Sequence, residues 1–420
     1  MRTRAWRFLS MRVCSACLMC VATACGRGTV VQEEGSTFTF PDSIIATTVE
    51  MDESQAVAWS VGREPKLVIG DESGAGEFGR LAFALRLPDG RFVGADEQGQ
   101  RLVIFDSLGV YQATWGRSGR GPGEFLYPAW LGICAGNLYA FDALQRTVHV
   151  FALDSTYKES VRPTIADNGH SLLLHPTQLL ACNSAGAVAA AATTWHTAPG
   201  GPAETERTPG PYRTLEVVGL GQLGATLDGI ITVGGEDRYR YRSGDGPLHV
   251  FGRRPLLALT TRHLFVATGD QYEIARYDLA SRSWSLLRAA HDRLLIVQKE
   301  IQDVRASAIA DPTLPPGART QLGRTLDGMT WPVAHPTFKE LLVDEKQCLW
   351  LRESAPVGEE AQWSVLSVSG VITAKVVAPK GFRLFQVRSD ELIGRQRDSL
   401  GIDRLLVYPL EREASVPCQA

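Results

Sequence analysis

Apolar residues along this chain come in short runs, each closed by a turn-forming cluster, and the pattern repeats almost to the end. The stretch from Phe83 to Phe125 shows the unit: Phe83–Leu87, the turn Pro88-Asp89-Gly90, Arg91–Ala95, then Arg101–Phe105, the turn Ser107-Leu108-Gly109, and Val110–Trp115. Proline presets φ and glycine accepts φ > 0, so each break reads as a tight turn. The runs between are rich in β-branched and aromatic residues, which favour strands. Together they predict a four-stranded meander. With two bare faces, such a sheet needs neighbours built like itself.

The rest of the chain supplies them. Gly-Glu-Phe at 76–78 returns at 123–125, and Asp96 is matched by Asp142, 46 residues on. First hairpins of the same form read at 83–96, 129–142, 171–183, 256–270, 339–353 and 383–398. Third strands follow at 101–106, 147–153, 212–219, 272–279, 362–370 and 404–410. Five of these precede a fourth strand; the sixth does not, because the chain ends. An open ring leaves an exposed edge, which is a liability, and Ala56–Gly70 is the segment available to fill it by pairing with Arg404–Leu410. The expectation is an all-β, six-bladed β-propeller over residues 41–420, closed by that N-terminal strand.

Two insertions interrupt the rhythm. Residues 196–211 form a Pro/Gly-rich loop. Residues 289–336 contain LIVQKEIQDVRASAIA, whose apolar positions recur at helical spacing, with Pro312, Pro315 and Pro316 ending that helix. It falls between blades 4 and 5. The wide spacing around these insertions would accommodate a seventh or eighth blade, but the second gap lacks paired strand runs.

Residues 1–24 read as a signal peptide: Arg2, Arg4, Arg7 and Arg12, then the apolar run Val13–Ala24, too short for an ordinary membrane span. Ala22-Thr23-Ala24-Cys25 resembles a bacterial lipobox, which implies a lipid on Cys25; plain signal-peptidase cleavage is the alternative. Residues 25–40 are then a tether, and the protein is exported to the cell envelope, at the outer membrane or in the periplasm. Loss of four arginines takes the formal charge from −3 to −7, which argues against nucleic acid as a partner. Contact with membrane is expected through the lipid alone. Cys134, Cys182, Cys348 and Cys418 fit no metal or redox spacing, and three pairings are open to them; they are read as small buried side chains.

The run GRFVGADEQGQRLVIFD resembles an NHL-type repeat, and GRSGRGPGEF resembles the connector of bacterial six-bladed, TolB-like β-propeller lipoproteins. FGRRPLLALTTRHLFVATGDQYEIARYD is similar to the fourth blade of the same proteins. The resemblance implies the fold and leaves the function open, since propellers host enzymes, binders and scaffolds alike.

In an up-and-down blade, connections from the second to the third strand, and from the fourth strand to the next blade, share one face. That gathers 196–211, Gly116–Pro128, Gly235–Pro247 and 289–336 around one mouth, where a protein, small-molecule or glycan ligand is expected. Asp96, Asp142 and Asp270 end second strands there. They read either as a carboxylate ring for Ca²⁺ or, because the position repeats, as turn-capping residues. Arg117 and Arg120 flank a glycine-rich turn that reads as an anion nest or a plain connector. Arg238 and Arg240 alternate with tyrosines, in a ligand-gripping ribbon or a solvated edge. Trp331 and His335 sit where the long insertion rejoins the fifth blade, as a recognition corner or a plug. No HExxH or G-x-S-x-G pattern occurs, so no catalytic residue is assigned and no cofactor beyond Ca²⁺ is suggested. A non-enzymatic binding scaffold is the first reading. A metal-assisted hydrolase or lyase in the channel, by analogy with gluconolactonase and amidating-lyase propellers, is the alternative.

Overall fold

The computed structural model describes residues 38, 47–54, 56–70, 74, 76–166, 173–194, 210–241, 244–310, 315–356, 359–413 and 418. The leader and Cys25 lie outside them, as does nearly all of the tether.

The chain is mostly β, built from antiparallel four-stranded sheets of propeller-blade type. Sheet 1 comprises Leu81–Arg86, Phe92–Asp96, Arg101–Phe105 and Tyr111–Trp115. Sheet 2 comprises Pro128–Cys134, Asn137–Asp142, Thr147–Ala152 and Tyr157–Val161. Sheet 3 comprises Gln178–Cys182, Ala187–Thr194, Gly210–Gln222 and Thr226–Tyr241. Sheet 4 comprises Leu256–Leu259, His263–Ala267, Glu273–Asp278 and Ser283–Arg288. Sheet 5 comprises Phe338–Val343, Leu349–Glu353, Ala361–Leu366 and Ile372–Ala378. Sheet 6 takes Arg383–Val387, Glu391–Arg397 and Asp403–Glu411 from the end of the chain. Its fourth place is filled by Leu67–Ile69, paired antiparallel as Leu67↔Val407, Val68↔Leu406 and Ile69↔Leu405.

The first strands of successive sheets stand side by side, and that of sheet 6 lies next to that of sheet 1. The core lies between sheets. Phe125, Leu138 and Phe151 pack against Leu102 and Trp115 between sheets 1 and 2. Ile69, Phe385, Ile393 and Leu405 pack against Phe78, Leu81 and Val103 between sheets 6 and 1. The second and third strands of sheets 1 and 2, and the second of sheet 4, are therefore buried on both faces, which is why so many positions are apolar without alternation. Gly109, at φ +85°, turns sheet 1 just where Ile69 passes; a Cβ there would stand 2.9 Å from Ile69 Cγ1.

The N-terminal segment does more than fill one seam. Thr47–Glu50 pairs parallel with Ser283–Arg288 on the outer edge of sheet 4. Val57–Trp59 pairs parallel with Ala374–Val376 of sheet 5, and Ser60 and Val61 then reach Glu411 and Leu410 of sheet 6. So only part of 56–70 pairs with the last strand. The remainder bridges two sheet edges, because outer strands leave one row of backbone groups unpaired.

Four sequence expectations need correction. The hairpin read at 171–183 is not one: Leu173–Leu174 lies at the outer edge beside Thr164–Ala166. The true first hairpin of sheet 3 joins Gln178–Cys182 to Ala187–Thr194. Its second strand, AVAAAATT, carries weak β propensity, yet Ala189–Ala192 are fully buried and packing decides. Gly235–Pro247 is not a loop; Thr226–Tyr241 runs on through it and turns back as Gly244–Leu248. The long insertion holds two helices, α1 (Gln298–Ile309) and α2 (Pro316–Asp327). Pro316 opens the second rather than closing the first, since a proline at the first helical position has no hydrogen bond to lose. No helix among the described residues is long and apolar enough to cross a membrane.

The four cysteines among the described residues are paired, not free. Cys134–Cys182 links the innermost strands of sheets 2 and 3, with Cα atoms 5.8 Å apart, and Cys348–Cys418 ties the C-terminal tail to sheet 5, at 5.0 Å. Beside the second bridge, Arg412 lies over Trp59 at 4.8 Å and donates to the buried Asp344 carboxylate at 2.9 Å. One clasp thus holds the N-terminal strand, the C-terminal tail and sheet 5 together.

Candidate functional site

The insertion leaves sheet 4 and returns to sheet 5 on one face. Its two ends run antiparallel, with Ile296 N–H donating to the Val333 carbonyl at 3.0 Å and His335 N–H to that of Leu294 at 2.9 Å. Glu300 pins α1 at this point. Its carboxylate accepts from Val297 N–H at 3.0 Å and sits 3.1 Å from His335 Nε2, both side chains buried. The projecting hairpin of sheet 3 meets the insertion through Tyr239, whose hydroxyl donates to the Gly328 carbonyl at 3.1 Å. Between hairpin, insertion and the connector into sheet 4 lies a cleft of about 410 Å³, lined by Tyr212, Arg213, Asp237, Arg238, His249, Phe251, Arg253, Asp270, Leu295, Trp331 and His335 among others.

The cleft floor is an ion network. Arg213 Nη1 donates to both Asp270 oxygens at 2.7 Å. Arg253 bonds Asp237 through Nε at 2.7 Å and Nη2 at 3.1 Å, and reaches Asp270 through Nη1. Burial alone would push the Asp270 carboxyl up, but the Arg213 charge and its hydrogen bonds hold it below the usual carboxylate range. Arg253 uses three of its five side-chain N–H groups here. Aromatic walls stand over the network: Trp331 meets His249 edge-on at 5.2 Å and Phe251 at 5.9 Å, and Phe251 meets His335 at 5.0 Å. A rigid charged floor under apolar walls suits a ligand with a planar or aliphatic body and a few acceptor atoms.

The sequence-derived candidates fare differently. Trp331, His335, Arg238 and Asp270 converge on the cleft. Arg240 lies in the same hairpin, paired with Gly210 and Asp245, so this is no edge strand there; its side chain lies outside the described residues. Asp96 and Asp142 do not join them. Asp96 accepts from the Gly79, Arg80 and Gly99 amides at 3.0–3.1 Å. Asp142 accepts from those of Leu126 and Tyr127 at 2.6 and 2.9 Å. Each ties the entering connector to its own sheet, and no carboxylate ring forms. Among the described residues no three His, Cys, Asp or Glu side chains are placed to hold a metal. The anion nest is filled from within: Glu124 accepts from Gly121 N–H at 2.8 Å and from Arg117 Nε at 2.8 Å, while Arg120 is exposed. Cys25 lies outside the described residues.

Sequence reading missed Arg213, Asp237, His249, Phe251 and Arg253. One signal was present: Phe251-Gly252-Arg253 repeats Phe78-Gly79-Arg80. In sheet 1 the Arg80 amide is capped by Asp96, whereas Arg253 N–H turns to Asp237 at 2.8 Å and frees Asp270 for the arginines.

The channel itself differs in character. A second cavity of about 380 Å³ is lined by first strands of all the sheets. Phe83 lines it, 5.0 Å from Phe385 and 6.3 Å from Trp130. No candidate aspartate of the sequence reading lines it.

Near the cleft, Glu216 is buried with Oε2 unpartnered. Burial, aided by the neighbouring Glu236 charge, pushes its carboxyl up to about 7. A raised folded-state pKa means the folded protein keeps a proton that the unfolded chain has lost. Stability is therefore full below pH ~4.5 and falls as pH rises to about 7, by on the order of 3 kcal/mol. Glu216→Gln should flatten that decline, read as urea midpoints at pH 5 and pH 8. Equal declines in both proteins would contradict the assignment.

No family model matches the chain, and no curated protein matches it. Solved structures do. A DUF4221-family member from Bacteroides vulgatus aligns at TM-score 0.47 and 9% identity, covering 85% of this chain and 99% of that one. A selenomethionine-substituted virginiamycin B lyase from Staphylococcus aureus aligns at TM-score 0.35 and 7% identity, covering 87% and 98%. Regucalcin from Agrobacterium tumefaciens, a calcium-binding protein, aligns at TM-score 0.32 and 8% identity, covering 88% and 98%. At this distance none lends a residue or an activity to this chain.

Proposed function

We propose that this chain is an exported six-bladed β-propeller, anchored in the cell envelope by a lipid on Cys25, that binds a protein, small-molecule or glycan ligand on the face carrying the insertion. The cyclic order of first strands and the shared core between sheets 6 and 1 support the blade count. Pairing of Leu67–Ile69 with the last strand supports closure. Two disulfides support export, since such bonds persist in oxidising compartments. The cleft of about 410 Å³ is the observation that carries the binding reading.

Isothermal titration calorimetry gives the test. Glycan and peptide libraries are screened against the mature protein, and hits are titrated into Trp331→Ala, Arg253→Gln and a variant with 289–336 replaced by a short linker. Hits should weaken tenfold or more in each variant, as for loss of a buried aromatic or charged contact. Undiminished binding in a folded insertion-deleted variant would move the site elsewhere.

A further inference from the structure

Beside the cleft, the starts of the innermost strands carry cations that form no ion pair among the described residues. Arg254 precedes Leu256–Leu259, Lys339 lies in Phe338–Val343, and Arg383 opens Arg383–Val387. These are the first strands of sheets 4, 5 and 6, and they are neighbours in that order. All three side chains are half-buried. Among the described residues none of the three is in an ion pair. Arg254 makes one hydrogen bond, from Nη2 to the Lys339 carbonyl at 3.4 Å. Arg383 lies over the Phe385 ring, 5.6 Å from its centroid, and Phe385 in turn packs on Phe83.

The nearest carboxylates are already spoken for. Glu340 is held by Arg352 at 2.6 Å. Glu236 takes Arg238 on one oxygen and Gln178 Nε2, at 3.0 Å, on the other. Burial pulls both Arg254 and Lys339 below their usual values; Arg383 and Arg352 press further on the first, and Arg352 on the second. The Arg383 charge is felt at Arg254 in sheet 4 and at Tyr127 on the entry to sheet 2. Bringing like charges together out of water costs free energy; Glu340 and Glu236 near Arg254, and Glu300 and Glu340 near Lys339, offset part of it through space but bond neither side chain, so a bound anion is a natural complement.

We propose that Arg254, Lys339 and Arg383 form an oxyanion site at the channel mouth, taking a small ligand with two or more negative charges, borne by carboxylates or a phosphate. It rests on the reading that the insertion face is the ligand face, and names the chemistry that face selects. Arg254 adjoins Arg253 of the cleft, so the same ligand can place its charge here and its apolar body against Trp331.

Citrate and inorganic phosphate are titrated into the full mature protein, by calorimetry and thermal unfolding, against sodium chloride at matched ionic strength. At least one should bind saturably and raise the unfolding midpoint beyond the chloride control. Lys339→Met and Arg383→Gln should each weaken that binding tenfold or more, the worth of one charge-assisted contact. Without anion, both variants should unfold at the wild-type midpoint or above it, because removing an unpaired cation relieves repulsion. A stronger citrate response assigns the site to polycarboxylates, a stronger phosphate response to phosphorylated ligands. The proposal is overturned if neither anion outperforms chloride, or if both variants keep wild-type anion binding. It is equally overturned if the variants are less stable without anion yet respond to it unchanged. Should it fail while Trp331→Ala still abolishes binding of a library hit, the proposed function stands without it.

Discussion

Ile69→Ala is expected to cost about 2–5 kcal/mol of stability, the range for deleting a large aliphatic side chain from a packed core. Ile69 is 1% exposed and sits among Phe78, Phe105, Leu405 and Val407, so the loss falls on the seam between the two ends of the chain. Its neighbour Val68 is 43% exposed, and Val68→Ala should stay within about 0.5 kcal/mol. Urea unfolding followed by circular dichroism separates the two. If Ile69→Ala moves the midpoint no further than Val68→Ala does, the strand is decoration and the seam is held by something else.

The second large effect belongs to the C-terminus. Cys348 and Cys418 are 70 residues apart in sequence, and a cross-link closing a loop of that length is worth roughly 4 kcal/mol in the chain-entropy account. Cys418→Ser should lose most of it and should also loosen the Arg412 clasp over Trp59, since the tail carrying Arg412 is then free at its far end. The denaturation midpoint should drop by a comparable amount to wild-type protein in which that one bridge has been reduced. An unchanged midpoint for Cys418→Ser would mean that the bridge adds nothing in the folded protein.

Much of the architecture was legible because its signals are local. Turn chemistry such as Pro88-Asp89-Gly90, with apolar runs on either side, marks the hairpins of sheets 1, 2, 4, 5 and 6. The unfilled place in the last sheet pointed to the N-terminal strand. Sheet 3 was misread because its second strand is alanine-rich: alanine has little to say about strand or helix until burial decides, and burial is a property of neighbours. The disulfides were missed for a related reason. Cys134 and Cys182 meet because first strands of adjacent sheets are side by side, which no spacing along the chain reveals.

The site was legible in part. Trp331 and His335 stood out as an aromatic corner bracketed by prolines, and the repeat placed Asp270 near a mouth. The repeat also misled, by grouping Asp96 and Asp142 with it. Those two cap backbone amides, and a carboxylate saturated by amides has little left for a ligand. The two arginines bonded to Asp270 come from separate segments of sequence, and the unpaired cations of the channel mouth from three different sheets. Such convergence is visible only once the sheets are in place.

The account rests on the two chain ends sharing one sheet, and amide hydrogen exchange followed by mass spectrometry tests this most directly. Peptides covering Leu67–Ile69 and Leu405–Val407 should exchange slowly and at matching rates, and Ile69→Asp should release both together. Fast exchange at 67–69 while 405–407 stays protected, or release of the first without the second, would contradict a closed ring.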